Sequence, residues 1–364
     1  MSYSPSTRPS TKKFPMHSVS YSAATYRECR RELMEFRNAN RDTIRDERYF
    51  DWRYSDRPGQ SEPIIVWAEN ERGEKIGSLS LIPHHYSVNK TSCPLGRLGD
   101  ISVAKEYRGK GIARQMFYYL SGLDAVKSLA ACIVLPNEDA ARALEKSGWV
   151  KVSRLDRYVK ILNTEQFLEK KVGRPVAKII SSPLGLLLRA ISHELFLKKP
   201  AGFSAQLVER FDDSFDDLWN ELNKEGVVIG LRNKEYLTWR YSEHPVVKYQ
   251  VFTLTNNGKL CGYIVFHVDL NACHIYDLLC LKEGDYPTHL LSNFLNFIRR
   301  KTTSSVIIIN GSENMSSGIP FGKFGFIRRP DYLDFMVRMG SGSEDFDCLS
   351  EGRRWFLTMG DKDV

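Results

Sequence analysis

The stretch Gly99 to Leu120, GDISVAKEYRGKGIARQMFYYL, constrains this chain more than any other, because it predicts a strand, a tight turn and a helix in direct succession. Ile101 and Val103 lie two apart and share one face of a strand, whereas Ala113, Met116, Phe117 and Leu120 recur at helical spacing. The turn between them, Arg108-Gly109-Lys110-Gly111-Ile112-Ala113, places two glycines where the backbone must bend sharply and let a ligand come close. Its amides would point outward at the positive end of the following helix, which makes the turn a ready site for a phosphate. Lys110 and Arg114 add mobile positive charge beside it.

A second element follows. From Ala131 to Trp149 the sequence predicts a short apolar strand, a break at Pro136, and a helix capped by Asn137 or Asp139 and ended by Gly148. Ala140, Ala141 and Leu144 give that helix a slim inner face. Together the two elements resemble the GNAT superfamily of acyl-CoA-dependent N-acetyltransferases. In that family a [Q/R]-x-x-G-x-[G/A] loop holds the pyrophosphate of coenzyme A, matched here by Arg108, Gly109, Lys110, Gly111, Ile112 and Ala113. An N-x-x-A…G-[F/W] helix lies beside the pantetheine arm, matched by Asn137, Ala140, Gly148 and Trp149. The resemblance implies acetyl-CoA as cofactor, held by Ile101, Ser102, Val103, the turn from Arg108 to Arg114, Asn137 and Ala140. It also implies that backbone N–H groups at Ser102 and Val103 face the thioester oxygen.

The rest of the first half supplies the order of elements such a domain has. A first strand is expected near His17 to Tyr21, a helix over 24–38, and a second helix ending before Pro58. A hairpin of strands is expected at Pro63–Glu69 and Lys75–Val88, and closing strands at about 149–153 and 156–162. The second half repeats the first. Tyr236-Leu237-Thr238-Trp239-Arg240-Tyr241-Ser242 answers the earlier Y-x-x-W-R-Y-S segment at an offset of 187 residues. Asp277 answers Asp100, Gly325-Phe326 answers Gly148-Trp149 and Phe335 answers Tyr158 at an offset of 177. At that same offset Asp285-Tyr286-Pro287-Thr288 replaces Arg108-Gly109-Lys110-Gly111, a turn without glycine and with one amide donor fewer.

The expected architecture is therefore α+β: two GNAT-like domains, each a mixed, mostly antiparallel twisted sheet flanked by helices. The expected divisions are a disordered lead-in over 1–15, an acetyl-CoA-binding domain over 16–163, a helical linker over 164–203, a degenerate copy over 204–340 and a tail over 341–364. The degenerate copy would serve for support, for shaping the acceptor cleft or for dimerisation. With 364 residues and 42% hydrophobic content, each half can build its own core.

The net charge of +8 invites nucleic acid or anionic membrane as partners, but Lys and Arg are spread among Asp and Glu with no basic stripe and no interleaved aromatics. No nucleic-acid partner is expected. The run Ser182 to Leu197 is too short and too interrupted by Arg189, His193 and Glu194 to span a bilayer; packing between domains is favoured over membrane-surface contact. Seven cysteines with no C-x-x-C pair suggest neither a disulfide framework nor a metal site. With a Ser/Thr/Pro-rich N-terminus that lacks an apolar signal core, the expected location is cytoplasmic.

Acyl transfer to an amine needs a neutral amine, a polarised carbonyl and a proton for the leaving thiolate. Candidate bases are Asp100, just before the cofactor strand segment, and His84 and His85 at the end of the preceding strand. Asp277 keeps the Asp100 position in the half without the loop, which favours a structural role for both. Family members carry a tyrosine four residues before the glycine of the second motif; this chain has Leu144, leaving Tyr118, Tyr158, Ser147 or solvent as the acid. Arg53 and Tyr54 are candidate acceptor contacts, while Trp52 and Tyr49 are expected to pack in the core. The implied function is transfer of an acetyl group to the primary amine of a small molecule, with an amino sugar or sugar nucleotide among the acceptors. Transfer of a longer acyl or aminoacyl group, or acyl-CoA binding without turnover, stays open as an alternative.

Overall fold

A computed structural model describes residues 19–59, 61–165, 192, 194, 201–222, 224–283, 285–340 and 347–362. The expected lead-in and nearly all of the linker run lie outside the described residues. Among those described, fourteen strands join in one twisted sheet with helices on its faces.

The first half begins with β1 (Ser20–Thr25), three to four residues later than expected, followed by α1 (Tyr26–Asn40) and α2 (Glu47–Tyr54). The Glu28 carboxylate bonds back to the Thr25 amide at 2.7 Å and fixes the start of α1. Asp46 caps α2 by accepting the Tyr49 amide at 3.0 Å. The hairpin forms as expected from β2 (Ile64–Glu69) and β3 (Lys75–Val88), and β3 pairs on with β4 (Thr91–Val103). The glycine turn leads into α3 (Ile112–Gly122), then a short α4 (Asp124–Lys127), β5 (Ala131–Val134) and α5 (Glu138–Glu145).

The two closing strands expected at 149–153 and 156–162 are a single strand, β6 (Val150–Ile161). Residues 154–155 are Arg-Leu, with no glycine or proline to turn the chain, and Leu155 is fully buried. β6 runs into the other half of the molecule.

That half contains β7 (Phe203–Val208), α6 (Asp213–Glu221), β8 (Val228–Gly230), the short α7 (Lys234–Leu237), β9 (Gln250–Asn256), β10 (Lys259–Asp269) and β11 (Ala272–Cys280). Helix α8 (Tyr286–Lys301), β12 (Val306–Gly311), α9 (Glu313–Ser317), β13 (Ile327–Met339) and β14 (Trp355–Phe356) complete it. The strand order is β1-β2-β3-β4-β5-β13-β6-β12-β11-β10-β9-β7. Read from either end it gives the same pairing pattern: antiparallel, antiparallel, antiparallel, then one parallel pair, β4·β5 or β11·β12. In the middle the last strands trade places: β13 pairs with β5, and β6 pairs with β12.

Trp52 and Trp239 sit on the axis of this arrangement. Each indole N–H donates to the other's carbonyl, at 2.8 and 2.7 Å, and the rings stack 5.2 Å apart. Trp52 and Tyr49 are buried, as expected of core residues. Two apolar clusters belong almost wholly to one half each, but a third joins Tyr26, Leu33 and Trp52 to Phe215, Leu237 and Tyr263. The C-terminal stretch read as a tail is built in: Trp355 and Leu357 are fully buried, and β14 pairs with β8, which in turn pairs with β3. A Trp-Phe-Leu run has too much apolar surface to lie free.

Candidate functional site

The glycine turn has the geometry its sequence requires. Gly109 and Gly111 take φ of +77° and +81°, a region costly for side-chain-bearing residues, and Gly111 is the N-cap of α3. A Cβ added at either glycine would meet nothing within 4 Å, so the space over the turn is open. Ile112, Met116, Phe117 and Leu120 hold α3 against the sheet with its N-terminus beside that space. The turn, Tyr107, Arg114 and the face of α5 near Arg142 and Lys146 enclose a groove of about 830 Å³. Arg108 ties the turn down: its Nε donates to the Val103 carbonyl at 3.0 Å, and a terminal nitrogen donates to the Asn40 carbonyl. The open cradle at a helix N-terminus and the cations Lys110 and Arg114 fit a pyrophosphate.

The groove continues along β4. This strand pairs with β5 only at Gly96 and Arg97, and runs on to Val103 after the two have parted. A bulge interrupts its pairing with β3 between Ser78 and Ser80, with Asp100 at φ +53°. Aspartate tolerates that left-handed conformation better than most residues. Ile101, Ser102 and Val103 follow and line a second groove of about 630 Å³, which shares Val103, Arg108 and Asp139 with the first. Asn137 borders it as well; its side-chain oxygen caps α5 by accepting the Ala140 amide at 2.9 Å, which leaves its NH2 for other work. The expected cofactor residues, all but Ala140, thus line two adjoining grooves.

Asp100 is the electrostatic centre of the second groove. Its carboxylate, 7% exposed, is 2.7 Å from both Arg37 and Arg41, accepts from Arg53 Nε at 2.5 Å, and takes a hydrogen bond from the Tyr54 hydroxyl. Burial alone would raise its pKa; the charges of Arg37, Arg53 and Arg41, with the Tyr54 bond, outweigh burial and hold the carboxyl well below the usual carboxylate range. Arg53 and Tyr54 therefore face Asp100. Arg37 and Arg41 were not among the residues singled out from the sequence. A signal for Arg37 was present: it follows Tyr26, Cys29 and Leu33 on the buried face of α1, where an arginine needs a partner.

The histidines are elsewhere. His84 lies roughly 20 Å along β3 from the bulge, counting six residues from Ser78. It is buried beside Tyr236 and Trp239, and burial, with Arg97, Arg57, Arg240 and Arg53 nearby, pushes its pKa well below the ordinary value. His85 is exposed and contacts Ser92 at 3.3 Å. Leu144 is fully buried in the core; the Tyr118 hydroxyl is bound to the Lys146 carbonyl, Ser147 to that of Ala143, and Tyr158 stacks on Phe321.

The corresponding region of the second half is filled. The 177-residue offset does not hold through the turn: the left-handed N-cap that answers Gly111 is Asp285, at φ +57°, and Tyr286, the first residue of α8, packs against Phe203 while its hydroxyl accepts from Asn256 at 3.3 Å. Asp277 is bound by Arg232 at 3.1 Å, by the Tyr263 hydroxyl at 3.1 Å and by Thr358 at 2.9 Å, and Asp361 closes on the other side of Arg232 at 2.7 Å. Thr358 and Asp361 come from the C-terminal segment, laid against the end of β12 through the Gly311–Thr358 bridge.

A family model for the acetyltransferase (GNAT) domain matches residues 25–128, which include the glycine turn. None of the curated proteins matches the sequence. Among solved structures, a probable N-acyltransferase from Enterococcus faecalis superposes with a TM-score of 0.61 at 12% identity, over 89% of this chain and 73% of that one. A GCN5-related N-acetyltransferase from Anabaena variabilis gives 0.59 at 13% identity, over 88% and 73%. Saccharomyces cerevisiae N-myristoyltransferase with bound myristoyl-CoA gives 0.53 at 14% identity, over 91% and 86%. With the turn, the bulged β4 and its parting from β5, these likenesses give the chain the fold of the GNAT superfamily of acetyl- and acyltransferases.

Proposed function

We propose that the protein transfers an acetyl group from acetyl-CoA to the primary amine of a small-molecule acceptor, using the first of two GNAT-like units. The observation that carries this is the open channel, two adjoining grooves that run from the Gly109–Gly111 cradle to the Asp100 bulge. Turn amides, Lys110 and Arg114 would hold the pyrophosphate. Ile101 to Val103, Asn137 and Ala140 would line the pantetheine arm, with the Ser102 and Val103 amides placed for the thioester oxygen. When bound, the cofactor supplies the activated acyl group. The second unit is read as a degenerate copy: the palindromic strand order and the Trp52–Trp239 pair support the repeat, and Tyr286 and Thr358 stand where its channel would be.

Asp100 in this reading is a positioning residue that fixes Arg37, Arg41, Arg53 and Tyr54, since a carboxylate held so acidic is a poor base for an ammonium. His84 and His85 take no part. The amine sheds its proton to water in the open channel, so the rate follows the amine's own ionisation. Acceptors include amino sugars and sugar nucleotides, and the expected setting is the cytoplasm. The test is free-thiol release from acetyl-CoA with a panel of amines, repeated with longer acyl-CoAs. Steady release with an amine supports the reading; tight cofactor binding without release, under every amine, would make the protein a binding module. Loss of thiol release in His85→Gln with the fold intact would return that histidine to the chemistry.

A further inference from the structure

Arg37 stands at the groove with donors to spare. Its side chain is 2% exposed, yet only one terminal nitrogen is engaged, by Asp100 and the Tyr54 hydroxyl. Its Nε and second terminal nitrogen have no hydrogen-bond partner among the described residues. Buried donors in native proteins are nearly always satisfied, so the unmatched Nε–H and terminal NH2 of a residue that lines the groove point to something that enters it. Charge points the same way. The single negative charge of Asp100 faces the guanidinium groups of Arg37, Arg41 and Arg53, a surplus of two positive charges. Arg45 stands on the same wall over the Tyr49 ring. Of the remaining acids there, Asp139 is already paired with Arg142 at 2.6 Å, which leaves Asp42 at the rim. The pantetheine arm is an uncharged amide chain, so the cofactor brings no anion to this end of the channel.

We propose that this wall is an anion subsite: the acceptor amine also carries an anionic oxygen group, a carboxylate or a phosphate, which Arg37 and Arg41 bind with Arg45 at the mouth. The inference rests on the acyl-transfer reading and narrows its acceptor class. Both anions fit the forked donors of arginine, and charge-assisted bonds of this kind change affinity by about tenfold or more. The test is calorimetry on the full chain saturated with coenzyme A, using matched probes: glucosamine 6-phosphate against glucosamine, and glycine against glycinamide.

The expected result is that the anionic member of one pair binds at least about tenfold tighter, which also tells phosphate from carboxylate. Arg41→Gln and Arg45→Gln, on the accessible side of the wall, should each erode that advantage while coenzyme A affinity holds. Equal affinity within both pairs, no binding by either anion, or an advantage untouched by both variants would overturn the proposal. Thiol release with neutral amines and no anion preference would reject the subsite and keep acyl transfer; anion binding without thiol release would do the reverse.

Discussion

Asp100 and Asp277 occupy matching places in the two halves, each on the strand that parts from its parallel neighbour, and each buried against arginine, three beside Asp100 and Arg232 beside Asp277. Their surroundings differ in what fills the parting. Beside Asp100 the partners are Arg37, Arg41 and Arg53, and a groove of about 630 Å³ runs past them to the open glycine cradle. Beside Asp277 the chain's own Thr358 and Asp361 take up the space, and Tyr286, the first residue of α8, packs against Phe203. In the acyl-transfer reading the charged hub is a scaffold that the fold keeps with or without a ligand site, and binding capacity lies in the room around it.

The largest expected effect comes from closing that room. Gly111→Asp should weaken coenzyme A binding by about 100-fold or more, because a carboxylate some 4 Å from a phosphate near the surface is repelled by about 4 kcal/mol. The fold should lose only about 1 kcal/mol for an aspartate at φ +81°. Asp285→Gly, at the matching left-handed N-cap in the second half, should leave binding unchanged. Titration of both variants with coenzyme A checks the pair, and wild-type affinity in Gly111→Asp would remove this turn from the site.

The next effect is on stability. Asp277→Ala leaves Arg232, 2% exposed, with Asp361 as its remaining carboxylate, and breaking a buried pair in this way costs about 3–5 kcal/mol. Denaturant unfolding should show that loss, while coenzyme A affinity of the folded fraction stays as in the wild type. A variant that stays folded but no longer binds would show the two hubs to be coupled.

A smaller effect concerns the seam between the halves. His244 packs against Trp52 with ring centroids 4.4 Å apart and planes tilted by 55°, and His84 lies 6.0 Å from Trp239. Burial, then the nearby arginines, pushes His244 down to about 4 and His84 well below 6.5. Between about pH 4 and 6.5 the unfolded chain therefore binds more protons than the folded one. Stability should rise with pH across that window and be lost on acidification through it. Melting temperature against pH should show this slope, and His244→Gln should flatten it; a wild-type profile flat from pH 7 to 4.5 would contradict it.

The sequence made the site legible where local rules decide. The glycine turn, a cap at Asn137 or Asp139 and the hairpin need only neighbouring residues, and the repeated Trp-Arg-Tyr-Ser segments marked an internal repeat, though not that Trp52 and Trp239 pair. The exchange of β6 and β13 was not legible, because pairing between residues some 180 positions apart leaves no local pattern. Nor was the bulge at Asp100, since an aspartate with positive φ looks like any other in a list of residues. Arg37 was half visible: its place on the α1 face asked for a partner, but nothing local named Asp100. The C-terminal plug was hidden for the same reason, although the apolar run Trp355-Phe356-Leu357 signalled burial somewhere.

The most direct test of the contrast between the halves is calorimetry of the intact protein with coenzyme A. One open cradle and one filled one predict a stoichiometry near one, with the affinity cut by Gly111→Asp and untouched by Asp285→Gly. Two equivalent sites, or one site that keeps its affinity in Gly111→Asp, would contradict the account.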